Sequence, residues 1–440
     1  MRLEKIIIFS ALLLALNTGL SYGQESAQQP DSVGTTAEIN PDSTLTTIVP
    51  DSTRATIGAA FKPDSLAADS TLVDDAAPLD IAKDRGLYIV TPDGKMQLRI
   101  LGSVRYLIVY DDIDMVSKNN FLTYMIPTGE QSQLTPNYYN GLDQSRLGFE
   151  VTRRTSIGDV FIRLETDFAG QDGFRIRHAY GQVRRFLFGQ TWSLFSHINA
   201  LPTVVDFANP TGAVTVRTPQ MRFTARRQLK GFKLSLGLEY SEPEFAFQES
   251  SSFEAFQLLP AFTARLIKNA DWGVLQFSGI VPTMSGREDD GKLMVRAGWG
   301  ASISTLVESW ARGSWHVQAA GGQLISRFFQ DLSGHGLDVV FDPESEDSAM
   351  PYTFGGYLSY EHRWRKNLYS SLTWGGLMMA KVSFMTDDTF YWGQTFRINT
   401  FWDIVDGSRV GGEYIHGARV DKGGDRGSAN RVNVLYYYDF

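Results

Sequence analysis

The sequence predicts an all-β protein, a transmembrane antiparallel up-and-down β-barrel of about 16 strands. Three observations predict it. Apolar and polar residues alternate in run after run from Lys95 onward. The connections between runs alternate between short turns and longer loops, as in barrels that cross an outer membrane. The last run, Arg431-Val-Asn-Val-Leu-Tyr-Tyr-Tyr-Asp-Phe440, puts Val432, Val434, Tyr436, Tyr438 and Phe440 on one face.

Taken in order, residues 1–23 read as a secretory signal peptide. Arg2 and Lys5 precede the apolar run Ile6 to Leu16, and Ser21-Tyr22-Gly23 offers a small-residue exit. That run is 11 residues long, too short to cross ~30 Å of hydrocarbon as a helix. Residues 24–85 differ in kind. Pro-Asp-Ser recurs at 30–32, 41–43, 50–52 and 63–65, and the segment holds 11 acids against four bases. With few large apolar side chains it cannot offset its chain entropy, so the expectation is a disordered, acidic periplasmic tail. The whole chain carries −8, of which the tail supplies −7, and it has no cysteine. A disulfide framework, thiolate ligands and a cysteine nucleophile are excluded, and the charge gives nucleic acid no footing.

The expected barrel occupies 86–440. Its strands are read at 97–110, 144–155, 158–168, 175–183, 185–194, 219–229, 231–241, 255–267, 272–282, 292–304, 314–327, 352–363, 368–381, 391–404, 409–419 and 430–440. Phe232 to Tyr240 shows the pattern: Phe, Leu, Leu, Leu and Tyr share one face, Lys233, Ser235, Gly237 and Glu239 the other. Short turns fall at 156–157, Arg184, Lys230, 268–271, 305–313, 364–367 and 405–408. Longer connections fall at 111–143, 169–174, 195–218, 242–254, 283–291, 328–351, 382–390 and 420–429. An even strand count puts both barrel ends on the short-turn side. Trp364, Trp392, Trp402 and Tyr436 fit an interfacial girdle in contact with outer-membrane lipid. The aromatic C-terminal strand, with Tyr436, Tyr438 and Phe440, resembles the signal that barrel-insertion machinery reads.

In a membrane barrel the polar face lines the lumen. On that parity the inward bases include Arg99, Arg146, Arg163, Arg175, Arg177, Arg222, Arg226, Arg265 and Arg296; the inward acids include Glu150, Glu165, Asp167, Glu239 and Glu413. Arginine stays charged and presents a planar fork to carboxylate or phosphate, so the wall suits small anionic solutes. About 16 strands leave an aqueous passage, and something must narrow it. Residues 192–218 are apolar for an exposed loop, with Leu194, Phe195, Ile198, Leu201, Val204, Val205 and Phe207. They are expected to fold inward as the constriction, with Phe195 in the loop, Asp206 and Asn209 as polar tips and Arg217 near the base.

Arg175-Ile-Arg-His-Ala-Tyr-Gly-Gln-Val followed by Phe188-Gly-Gln-Thr-Trp192 resembles the strand-four, strand-five hairpin of general porins. The continuation Gly189-Gln-Thr-Trp-Ser-Leu-Phe, Leu201-Pro202, Asp206, Asn209-Pro-Thr-Gly212 and Arg217-Thr-Pro-Gln-Met-Arg222 is similar to the DcaP-like, dicarboxylate-type porins. The resemblance implies a homotrimeric, 16-stranded, anion-preferring porin of a diderm outer membrane with a basic constriction. The Pro-Asp-Ser tail departs from it, since it lacks the heptads of a coiled-coil extension.

Enzyme chemistry finds little support. No Walker A, His-Glu-x-x-His or Gly-x-Ser-x-Gly sequence occurs, no cofactor is implied, and the six histidines stand singly, several on lipid-facing parity. Ser196-His197 invites a lipase reading, yet a serine beside its own base in sequence rarely has attack geometry. Asp338, Asp342, Glu344, Glu346 and Asp347 read as a solvated outer loop more readily than as a calcium site, so no metal is expected. The competing functional readings are a non-selective or sugar-type porin and a structural or adhesive barrel anchored through its tail.

Overall fold

In the computed structural model, the described residues are 85–440, apart from 116, 132–134, 171, 247–252, 288–290, 310–311 and 343–346. The expected signal peptide and almost all of the acidic tail lie outside them. Sixteen long strands form the barrel: β1 (Met96–Asp111), β2 (Arg146–Thr155), β3 (Gly158–Gly170), β4 (Gly173–Val183), β5 (Phe186–Trp192), β6 (Arg217–Thr224), β7 (Lys233–Glu239), β8 (Ala261–Ala270), β9 (Gly273–Val281), β10 (Trp299–Ser309), β11 (Gly313–Gln323), β12 (Tyr352–Arg365), β13 (Leu368–Met379), β14 (Phe390–Val405), β15 (Ser408–Asp421) and β16 (Arg426–Asp439). Each pairs antiparallel with its sequence neighbour, and β1 closes the ring against β16 from Ser103↔Asp439 to Asp111↔Arg431. Closure leaves no free sheet edge. No helix among the described residues is long and apolar enough to cross a membrane.

The alternation is inverted relative to a water-soluble sheet. On β16 the apolar residues Val432, Tyr436 and Tyr438 are more than 40% exposed, whereas Arg431 and Asn433 are fully buried. Apolar side chains outside and charges inside are what a strand facing lipid on one side and a packed lumen on the other requires. Trp364 and Trp402 lie exposed on the outer face.

All 16 expected strands are present, with differences at their ends; those expected to reach 229 and 327 stop at Thr224 and Gln323. The connections expected to be long at 169–174 and 420–429 are tight, because β3, β4, β15 and β16 run on to Gly170, Gly173, Asp421 and Arg426. The run 292–304 is two elements: Gly298 donates to the Pro282 carbonyl (2.9 Å), and the hairpin of Thr283–Arg287 with Leu293–Ala297 leaves the wall there. The strand expected from 255 begins at Ala261, just past Pro260, whose ring cannot donate to the ladder. Arg184 and Lys230, where the sequence places tight turns, both take positive φ (+52° each). Beyond the barrel, Leu87–Val90 pairs with β1 below the end of β16, and Asn137–Gly141 pairs with its opposite end. The barrel therefore has a turn end, carrying both strand termini, and a loop end.

Candidate functional site

The connection from β5 to β6, residues 193–216, folds into the barrel and travels along its inner wall. Its path is written in hydrogen bonds to inward polar residues of successive strands. Leu194 donates its N–H to Glu239 Oε1 on β7 (2.9 Å). Ser278 on β9 donates to the Phe195 carbonyl (3.2 Å), and His197 Nδ1 meets Ser304 Oγ on β10 (2.7 Å). Tyr357 on β12 donates to the Ala200 carbonyl (2.9 Å), Asn399 on β14 to the Thr203 carbonyl (2.9 Å). Glu413 on β15 accepts the N–H groups of Val205 (3.2 Å) and Asp206 (3.1 Å). Arg397 donates to the Ala208 and Asn209 carbonyls (2.9 and 3.0 Å). The return leg then presses on the wall backbone at Gly212, whose φ is +79° and where a Cβ would stand 2.2 Å from the Gly376 carbonyl oxygen. Only glycine fits there.

The loop thus covers the wall from β7 to β16 and faces β1–β6 across the lumen. That opposite wall carries a chain of alternating charges. Arg99 bonds Glu150 (3.0 Å), Glu150 lies 3.8 Å from Arg163, and Arg163 pairs with Glu165. Arg177 bridges Glu165 (2.9 Å) and Asp167 (2.8 Å), and Arg175 grips Asp167 through two contacts (2.7 and 3.0 Å). Arg146 stands opposite Asp167 in the β2–β3 register. Arg222 donates to the Trp192 carbonyl (2.6 Å) and Gln220 (2.8 Å). Arg217 stacks 4.2 Å above the Trp192 ring and feels Arg177, Arg175 and Arg146 as like charges. In the middle of this wall seven arginines (99, 146, 163, 175, 177, 217, 222) stand against three carboxylates (Glu150, Glu165, Asp167). Most are buried; Arg175 keeps about a third of its side chain exposed.

The residues read from the sequence divide in their placement. The seven arginines share one wall. Arg265 faces inward from β8, across the lumen, near Ser235 (3.5 Å). Arg226 does not line the passage: it is exposed in the connection between β6 and β7, past the end of the ladder. Arg296 sits in the hairpin above the barrel, bonded to Ser348 Oγ (3.0 Å). Phe195 is fully buried against Phe328, ring centres 5.6 Å apart, so it anchors the loop and does not line a path. Asp206 is no polar tip either. It is buried and accepts from the Phe121 N–H (2.9 Å), the Ala208 N–H (2.9 Å), Arg431 (3.0 Å) and Asn433 (3.1 Å). Asn209 is half-buried on Gln330. Tyr436, Tyr438 and Phe440 project outward from the last strand. Ser196 and His197 look apart: Ser196 Oγ accepts the Val216 N–H (3.2 Å) while His197 meets Ser304. Among the described residues no cluster of metal-ligating side chains forms.

Two features escaped the sequence reading. Phe207 is where the loop comes up to the basic wall, its ring centre 5.4 Å from the Arg175 guanidinium and 5.9 Å from that of Arg177. Nothing distinguishes it in sequence from the other apolar residues of the loop. The second is a β-bulge. Glu165 stands opposite His178 and Thr166 opposite Ile176, which leaves Arg177 as the extra residue. His178, on lipid-facing parity by sequence, therefore turns inward to Thr191 (3.0 Å).

No curated protein matches the chain at a significant level. Among solved structures, the outer membrane channel DcaP of Acinetobacter baumannii superposes with a TM-score of 0.67 at 20% identity, over 80% of this chain and 99% of that one. An anion-selective porin from Comamonas acidovorans gives 0.53 at 11% identity, over 79% and 100%. The outer-membrane expressed OmpT of Vibrio cholerae gives 0.51 at 10%, over 82% and 100%. At such identities the likeness establishes the barrel fold alone. The family model for DcaP outer membrane proteins, however, matches residues 89–440, from the short N-terminal strand through the last residue. The chain belongs to the DcaP outer membrane protein family.

Proposed function

We propose that the protein is a passive outer-membrane porin that prefers small anions, small carboxylates among them, with its turn end and N-terminal tail in the periplasm. The observation that carries this reading is the wall of seven arginines against three carboxylates facing the inward loop. Each carboxylate of that wall is already held by arginine, so the surplus positive charge is what a passing solute meets. Arg175, partly exposed and bidentate on Asp167, is the first group to exchange a wall contact for a solute carboxylate. The solved anion-selective porin supports the reading only as a fold relative. The trimer is proposed on the same family ground.

Planar-bilayer recordings of the refolded full chain under a salt gradient test it. The expected reversal potential shows anion preference, and an added dicarboxylate reduces the current. Replacing Arg175, Arg177 and Arg222 together with glutamine should shift selectivity toward cations. Cation preference of the unaltered channel would discard the assignment; insertion without current would discard the porin.

A further inference from the structure

The apolar rows that face lipid end differently at the two ends of the barrel. On β8 the outward row Phe262, Ala264, Leu266 finishes at the turn end in Lys268, which stands beside Leu275 of β9. The neighbouring turn, from β6 to β7, adds Arg226, Arg227 and Lys230, all exposed. Asp271 is the one carboxylate in residues 225–232 and 268–273, and among the described residues it pairs with none of these four bases. At the loop end of the same strands the balance reverses. There the sequence puts Glu242, Glu244, Glu249 and Glu254 in the connection from β7 to β8, and no base.

Beneath the turn-end cations lies an apolar floor. The Phe232 ring packs on Phe277, centres 6.1 Å apart, and Phe277 is 42% exposed on the outer face. Leu229, which exchanges backbone bonds with Phe232 (2.7 and 2.9 Å), is exposed as well, as is Trp272 in the next turn. Lys268 Nζ lies 5.7 Å from the Phe232 ring centre, so the lysine stem runs along this floor and carries its charge to the rim. The stem also reaches the turn that bears Arg227 and Lys230: a Cβ on Gly231 would stand 3.6 Å from Lys268 Cε. Like charges drawn together beside an apolar face are stabilised by an anion held among them. A bare anion would leave the phenyl rings uncovered; an amphiphile with an anionic head and an apolar tail matches both parts.

We propose that the turn-end outer face of β6–β9 holds an anionic phospholipid, its phosphate among Arg227, Lys230 and Lys268 and its first acyl carbons across Phe232 and Phe277. The contact continues the lipid-facing wall and does not depend on conduction. That the periplasmic leaflet supplies the lipid rests on the orientation proposed above.

Native mass spectrometry tests it on the refolded full chain, released from detergent that carries equal phosphatidylglycerol and phosphatidylcholine. Bound lipid should favour phosphatidylglycerol by at least about tenfold, each nearby cation adding to the attraction. Replacing Arg227, Lys230 and Lys268 together with glutamine should bring the ratio close to one, whereas Lys268→Arg should preserve it. An equal loss of charge elsewhere on the turn end, with Arg312, Arg365 and Lys366 changed to glutamine, should leave the ratio high. The folded band on SDS gels verifies each variant; should the first triple variant not fold, Lys268→Gln alone should lower the ratio about fivefold. Equal retention of the two lipids by the unaltered chain overturns the proposal, as does an equal loss in both triple variants. Displacement by excess glycerol phosphate would make this a phosphate site in which the floor has no part, and so overturns it. Preference for lipid A over phosphatidylglycerol at equal concentration overturns it in favour of an outer-leaflet lipid. Selective retention by a chain that passes no current would support the lipid site and strike the channel reading alone.

Discussion

Asp206 shows how one buried carboxylate can set the position of a whole loop. It gathers two backbone N–H groups, Arg431 and Asn433, and so ties the inward loop to β16 and to Phe121 of the first long connection. Asp206→Ala leaves those donors without an acceptor, while Arg431 keeps Asp111 (2.6 and 2.8 Å), so the barrel seam survives. The expected cost is about 3 kcal/mol, confined to loop docking. Single-channel records should show excess open-channel noise and a larger conductance, with Asp206→Asn intermediate because an amide oxygen still accepts the N–H groups. A quiet, unchanged channel would mean the loop does not depend on this pin. The sequence marks Asp206 as a polar residue in an apolar loop, and no more. Its partner Arg431 lies 225 positions away, and a reading confined to local pattern makes such a residue a tip when it is an anchor. The inward arginines were legible for the opposite reason: period two is local, and it misleads where a strand ends early, as before Arg226, where it leaves the wall, as at Arg296, or where a bulge adds a residue, as just before His178.

The strands of this fold were legible because each repeats one rule over about ten residues; the loops were legible only where their composition was odd. The apolar loop 193–216 drew attention, yet the connection between β11 and β12 is equally buried at Phe328, Phe329, Leu332, Val339 and Val340. Its acidic residues masked that and made it read as a solvated outer loop. Asp331 from this connection accepts from Thr123 N (2.9 Å) and from Thr211 Oγ1 (3.1 Å), so three connections interlock. Two titrating groups govern its attachment. Burial pushes the Asp338 carboxyl up from 3.8 to about 6, against the pull of Arg327. Burial, aided by the nearby positive Arg419, pushes the His335 imidazole down from 6.5 to about 4, where it stacks on Tyr124 at 3.6 Å. A raised acid favours docking below its unfolded pKa and loses that as pH rises through 6. A depressed imidazole favours docking above 6.5 and loses it as pH falls through 4. The two trends oppose between about pH 4 and 6, so attachment should vary little with pH there. Asp338→Asn should expose the histidine and loosen the loop on acidification; His335→Gln should tighten it. Hydrogen exchange of the 334–341 amides at pH 5 and 7 reads both signs, and equal pH slopes in the two variants would refute the balance.

A closed barrel stands or falls with the one seam that joins its first and last strands, because every other pairing is between sequence neighbours. Here the seam is fixed at both ends. At the loop end Arg431 is buried on Asp111, and at the turn end Phe440 exchanges backbone bonds with Gly102 (2.9 and 3.1 Å). The Phe440 ring lies over Gly102 so closely that a Cβ there would fall 2.3–2.9 Å from ring atoms. An aromatic ring covering a strand glycine supplies the packing that the missing side chain cannot. The terminal phenylalanine then has a role in the closed barrel separate from any role as an insertion signal, and the two can be told apart. Gly102→Ala displaces the ring without altering the C-terminal sequence; Phe440→Ala alters both. If the ring-on-glycine contact holds the seam, each single variant should lower the temperature at which the folded band is lost on SDS gels by a similar amount. The double variant should then be no worse than either, the non-additivity expected of two halves of one contact. Additive losses would mean that Gly102 and Phe440 act independently, and register would then rest on the Arg431–Asp111 pair at the far end of the seam.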